Sequence, residues 1–208
     1  MEEMSMKKVI IGLIATFTLF ACLPEDFSFT KDEKVKLFTF PSVFGSDTLA
    51  ISIMNPFSFS NFTEYSQYPS NSDKLYAVAT YETDCPACQE QAAYFDKLAK
   101  EFKYSGIQFA ILFIENDKQA IQQLDYLKEL SVPVYYNAES FCKEGLNRIV
   151  TPGVVFIANE KANYKNYIGW DTKSTAQGES NRSYHNLRGL LKDFCYKNPE
   201  TCEAPPEE

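Results

Sequence analysis

Histidine is almost missing from this chain: one occurs among 208 residues, which removes the paired-histidine half of most zinc sites. Positive charge is also short. Twenty Lys and Arg stand against 28 Asp and Glu, a net charge of −8, and phosphate backbones would repel such a chain, so a nucleic-acid partner is excluded. No uncharged apolar run reaches the roughly 20 residues that a membrane-spanning helix needs. There is no internal repeat, and no low-complexity tract apart from a short acidic tail. Six cysteines are too few for a disulfide-dense miniature domain. What is present fits a folded domain: 45% hydrophobic, 23% charged and 15% aromatic residues exclude wholesale disorder and collagen-like repetition. The length suits one domain of ordinary size with additions at its ends.

The N-terminus carries Lys7 and Lys8 followed by an uncharged apolar run from Val9 to Ala21. Basic residues before a short apolar core read as a secretory signal. Glu2 and Glu3 spoil the basic region, and Met6-Lys7-Lys8 makes a better start than Met1. The run ends in Leu19-Phe20-Ala21-Cys22, which resembles a bacterial lipobox, although Phe20 is unusual at its place. Cleavage after Ala21 would leave Cys22 as a lipidated N-terminus, and several acyl chains together hold a protein on a membrane. An ordinary cleavable signal, or an uncleaved anchor with Cys22 incidental, are the alternatives. Export places the remaining cysteines where disulfides persist.

The chain divides into an expected signal peptide (1–21), a tether with an N-terminal edge hairpin (22–73), a main domain (74–194) and a C-terminal tail (195–208). Strand signals stand at Val35–Phe40 and Leu49–Ile53, while Asn55–Asp73 is rich in turn formers and reads as loop. From Leu75 onward strands and helices alternate. Leu75–Tyr81 and Ile107–Ile114 are apolar runs of strand length. Between them Cys88, Ala92, Phe95, Leu98, Ala99 and Phe102 share one helical face. Ala120, Ile121, Leu124, Leu127 and Leu130 mark a second helix, Val132–Tyr136 a short strand, and Glu139–Leu146 a weakly helical stretch. Val154–Ile157 and Tyr164–Ile168, the latter ended by Gly169, are the last expected strands. A closing helix carries Tyr184, Leu187, Leu190, Leu191 and Phe194. Such alternation implies an α/β architecture with parallel pairing, right-handed crossovers and helices on both sheet faces.

Asp84-Cys85-Pro86-Ala87-Cys88 sits where the first of these strands gives way to its helix. Cys85 would then face the unpaired N–H groups and positive end of the helix, both of which favour the reactive thiolate. Pro86 suits the first helical turn, where its missing N–H costs nothing. Cys88, one turn in, falls on the apolar face. Cys85 would form a mixed disulfide with a partner and Cys88 would resolve it, a reaction that needs no cofactor. Glu82 and Asp84 are negative neighbours that oppose the thiolate. Half of a zinc site and an inert structural disulfide are the competing readings of the same string, although neither a second C-x-x-C nor a paired-His motif is present.

These residues resemble the thioredoxin superfamily, and within it the exported TlpA/ResA-like thiol-disulfide oxidoreductases. The resemblance rests on strand–Cys85-Pro-Ala-Cys88–helix, on the added segment from Lys118 to Leu146 with its Val132-Pro-Val-Tyr-Tyr136 strand, and on Ile149-Val-Thr-Pro-Gly-Val-Val-Phe-Ile157. It covers Leu75 to Phe194. It implies a thioredoxin-like fold with a central mixed sheet and an extra helix–strand insertion. It further implies a cis Thr151–Pro152 bond beside Cys85, so that a partner's extended segment could pair with Thr151 as a short added strand. The family implies a reductant more often than an oxidant, serving cysteine-containing exported proteins and a membrane or envelope electron donor or acceptor. The departures are Asp84 in place of the usual Trp, Ala79 in place of a buried acid, and Gly153 after the cis position. Peroxiredoxins share the fold but carry Thr where Glu82 stands, which disfavours a peroxidase. An assembly lipoprotein similar to the TraF-type proteins of conjugation systems, with a purely structural disulfide, is the alternative function.

The remaining cysteines divide unevenly. Cys195 and Cys202 flank Asn198-Pro199 and suit a loop-closing disulfide. Cys142 is then a buried free thiol, or the partner of one tail cysteine. His185 reads as a surface or packing residue and Trp170 as core. Tyr81, close to Cys85, is an expected exposed aromatic for partner binding. No metal site and no cofactor are expected.

Overall fold

The computed structural model describes residues 35–54, 75–146, 149–158, 161–163, 182–197, 199 and 202, all within the compact unit Glu33–Glu208. The signal peptide and Cys22, the 55–73 loop, the strand expected at Tyr164–Ile168, Trp170 and the acidic tail lie outside the described residues.

Five strands form one sheet: β3 (Leu75–Tyr81), β4 (Ile107–Phe113), β5 (Val134–Tyr135), β6 (Gly153–Ala158) and β7 (Lys161–Asn163), in the order β5-β4-β3-β6-β7. β3 pairs parallel with β4, and β4 with β5, whereas β6 runs antiparallel to both β3 and β7. The sheet is therefore mixed, as the family resemblance implied, rather than purely parallel. All seven residues of β3 are buried, the behaviour of a central strand covered on both faces, which is why it reads as an unbroken apolar run.

Side-chain alternation sorts the core into two layers. The odd-numbered residues of β3 and β4 face α1 (Pro86–Glu101), α2 (Lys118–Gln122) and α3 (Arg182–Lys197), with Ala92, Phe95, Leu98, Ile121, Leu187, Leu191 and Phe194 fully buried against them. Tyr76, Val78, Ala110, Leu112, Val155 and Ile157 face the other way. That second face is covered by the antiparallel hairpin of β1 (Val35–Pro41) and β2 (Thr48–Met54), together with one helical turn at Phe141–Gly145. Phe38 and Phe40 meet Phe141 edge-on at ring separations of 5.4 and 5.3 Å, and Lys36 pairs with Glu144. A Cβ on Gly145 would stand 3.0 Å from the Phe38 ring, so this turn needs glycine to approach the hairpin.

The second expected helix is two pieces. α2 stops at Gln122, Leu124 is extended, and a 3₁₀ turn follows at Asp125–Glu129. Ile121, Leu124, Leu127 and Leu130 recur every third residue, a spacing that three residues per turn satisfies as well as 3.6. Asp96 on α1, 4% exposed, braces the strand that comes next: its Oδ1 accepts the Ser131 N–H (2.7 Å), the Ser131 hydroxyl (2.6 Å) and the Val132 N–H (3.0 Å). At the far end of α1, Glu101 accepts hydrogen bonds from Tyr184 (3.1 Å) and Arg188, which fixes α3 across the same face. Cys195 and Cys202 are joined in a disulfide, and both are buried in the core.

Candidate active site

The site forms at the C-terminal ends of β3 and β4, where an open α/β sheet leaves its backbone free to turn toward a ligand. β3 ends at Tyr81, three residues turn the chain, and Cys85 takes the cap position of α1 with extended backbone (φ −106°, ψ 96°). Pro86 begins the helix. Cys85 and Cys88 are joined in a disulfide, their Cα atoms 5.2 Å apart. Cys88 is 0% exposed while Cys85 is partly open to solvent, so Cys85 is the outer member of the pair. The Cys88 N–H is shared between the Cys85 carbonyl (3.0 Å) and Cys85 Sγ (3.1 Å), so a backbone donor of the first helical turn points at that sulfur.

Two carboxylates hold the loops on either side. Glu115, just past β4, accepts from both the N–H and the hydroxyl of Thr83 through Oε1 (2.7 and 3.0 Å), which ties down the segment leading into Cys85. Its Oε2 is buried and unpartnered among the described residues. Tyr126 packs near this carboxylate, and burial together with the Glu115 charge pushes its phenol up to about 12. Glu82 accepts from the Thr151 hydroxyl through Oε2 at 2.8 Å.

The Thr151–Pro152 peptide bond is cis. Thr80 donates its hydroxyl to the Val150 carbonyl at 2.7 Å and pairs with Gly153 in the β3–β6 register, so the loop lies at the end of β3 beside the turn into Cys85. Gly153 is explained by this crowding: a Cβ would stand 2.8 Å from the Val150 carbonyl oxygen and 2.9 Å from Thr80 Oγ1. Among the described residues, Thr151 makes no backbone hydrogen bond through its own N–H or C=O.

Cys85, Cys88, Thr151 and Pro152 thus gather at one end of the sheet. Tyr81 does not join them as an exposed binding residue. It is 0% exposed and packs edge-on against Phe113, because position 81 falls on the odd-numbered face beneath the helices. Burial, aided by Tyr126, raises its phenol well above the usual value. Cys142 is a free thiol, buried on the opposite face of the sheet, and His185 is exposed on α3. Sequence reading missed Glu115 and Thr83 as holders of the Cys85 loop. The position of Glu115 at the end of a buried strand was the available signal.

The Redoxin family model matches residues 58–177, more than half of the chain. Among solved structures, a candidate thioredoxin from Neisseria meningitidis is 17% identical, with 81% of this chain and 93% of that chain covered and a TM-score of 0.50. A candidate thiol:disulfide interchange protein DsbE from Chlorobium tepidum is 10% identical, with 79% and 95% covered and a TM-score of 0.50. At such identities these two likenesses speak for the fold. No curated protein matches the chain. The family match, the thioredoxin-like sheet and the cysteine pair at the helix terminus agree, and the chain belongs to the Redoxin family as a thiol-disulfide oxidoreductase of thioredoxin fold.

Proposed function

We propose that the protein works outside the cytoplasm, in the cell envelope, as a reductant of cysteine-containing exported proteins. The observation that carries the reading is the asymmetry of the pair: Cys85 is partly open to solvent and sits at the helix terminus, while Cys88 is enclosed behind it. In the reduced protein the Cys85 thiolate attacks a partner disulfide, forming a mixed disulfide and releasing one partner thiol. Cys88 then gives up its proton and displaces the second partner thiol. Two electrons pass to the partner, and the Cys85–Cys88 disulfide forms. An envelope dithiol must later return those electrons.

The direction is argued from charge. Glu82, Asp84 and Glu90 flank the pair, and no Lys, Arg or His occurs between Thr80 and Asp96. A local run without cations stabilises the thiolate less than one that carries them, which favours the reduced form as an electron donor. The strong oxidants of this superfamily are oxidising because their reduced form is stabilised. Thr151, whose backbone groups have no partner among the described residues, supports docking of an extended partner segment as an added strand. Export by a signal over residues 1–21 and a lipid anchor on Cys22 complete the reading.

Two measurements test it. In cells producing the full chain with Cys88→Ala, Cys85 should trap partners as mixed disulfides that dithiothreitol releases. The Cys85/Cys88 couple should have a potential near −270 mV, and a value near −120 mV would make the protein an oxidant. If nothing is trapped and the wild type exchanges with no test disulfide, the pair is structural and the assembly-lipoprotein reading takes its place.

A further inference from the structure

We propose that Glu82 is a positioning residue that sets the affinity for extended partners by fixing the cis-proline loop, and that it does so through one hydrogen bond rather than through its charge. The proposal rests on the docking of a partner segment along Thr151 described above. The carboxylate stands three residues before Cys85 and accepts from the Thr151 hydroxyl at 2.8 Å. Among the described residues it is the one side-chain link between the turn that delivers Cys85 and the Thr151 loop. The other fastenings of that loop hold its flanks: Thr80 binds the Val150 carbonyl, and Gly153 enters the β6 ladder. Between them Thr151 has no backbone partner among the described residues, so its hydroxyl is what orients the residue.

An added strand pairs only if the receiving N–H and C=O already point outward. Ordering them in advance lowers the entropy lost on binding. Releasing the Thr151 side chain would return that cost to every extended partner. A small disulfide that makes no backbone contact would not notice. Glu82 bonds Thr151 and not Cys85, and whatever its charge does to the Cys85 thiolate acts on both kinds of partner alike.

The test compares the full-length protein with Glu82→Gln and Glu82→Ala, each in reduced form, on two uncharged probes. One is 2-hydroxyethyl disulfide; the other is a neutral nonapeptide bearing a central cysteine as its mixed disulfide with mercaptoethanol. Glu82→Ala should raise KM for the peptide about fivefold, the scale of one hydrogen bond, with kcat within about twofold of that of Glu82→Gln, which loses the same charge. The rates of the two variants with the small disulfide should likewise agree within about twofold. Glu82→Gln, whose amide oxygen still accepts from the hydroxyl, should restore the peptide KM. Adding Thr151→Val to Glu82→Ala should cost no more than Thr151→Val alone. The proposal is overturned if Glu82→Ala leaves the peptide KM unchanged, if it slows both probes equally, or if Glu82→Gln behaves as Glu82→Ala. A wild type inert toward both probes sinks the exchange reading itself, a separate result from an active wild type with an unaltered Glu82→Ala.

Discussion

Asp96 shows how a single buried carboxylate is made to serve. Burial opposes its charge, yet hydrogen bonds from Lys100, Ser131 and Val132 outweigh that and hold its carboxyl below the usual aspartate range. A depressed value in the folded state gives stability that is fully present above the unfolded value near 3.9 and is lost as pH falls through the folded one. Asp96→Ala, which strands the Ser131 and Val132 N–H groups, should lower unfolding free energy at pH 7 by about 3 kcal/mol. Asp96→Asn keeps an acceptor but loses the charge, so its deficit in urea unfolding should shrink as pH falls below about 4. A deficit that does not change with pH would show that the charge contributes nothing. Cys142 is the contrasting case: burial, with the Glu82 charge second, pushes its thiol up to about 12. At pH 8 roughly one molecule in ten thousand then carries the thiolate, so iodoacetamide should label Cys142 only after unfolding. The Cys85–Cys88 pairing was legible in the sequence because two unlike signals coincided, a C-x-x-C string and a strand-to-helix junction. Tyr81 was misread for want of a face: alternation says that neighbours point apart, but only the packed sheet says which layer the helices cover.

Elements were legible where burial made them monotonous. β3 is buried along its whole length and β4 everywhere but Gln108, so both read as mainly apolar runs, and the ends of β3 were placed to the residue. Periodicity was a weaker guide in the insertion, where spacing by threes fits two kinds of helix and the chain uses both. The hairpin was read as an edge decoration. It is the lid of the second core layer, with Phe38, Phe40, Ile51 and Ile53 all buried, and nothing in a strand's own alternation tells what its inner face meets. The cis-proline loop joins elements far apart in sequence, so its fastenings could not be read from local pattern. Gly153→Ala tests them at this scale. The new methyl would meet the Val150 carbonyl and Thr80, so stability should fall by about 2 kcal/mol, and the peptide KM should rise with it. An unaltered peptide KM would mean that the loop can shift without consequence for binding.

Across the whole molecule the cysteines form a graded series. Cys85 is partly open to solvent, Cys88 is enclosed behind it, and Cys195 and Cys202 close a loop inside the core. Dithiothreitol added stepwise to the folded protein should free the first pair before the second, read as alkylated mass, because reduction requires a thiolate to reach a sulfur. Simultaneous release would mean that the tail opens readily. A last consequence lies on the side of the sheet away from β7. β5 is only two residues long and would leave the parallel edge bare, but the chain leaving β1 lies along it: Ser42 bridges Tyr135, the Val43 N–H reaches the Val134 carbonyl at 2.9 Å, and the Tyr136 N–H reaches the Pro41 carbonyl at 3.2 Å. An uncovered strand edge is a template on which other chains polymerise. The chain thus closes this edge with its own backbone, so the N–H and C=O groups of Val134 and Tyr136 that a foreign strand would need there are already spent.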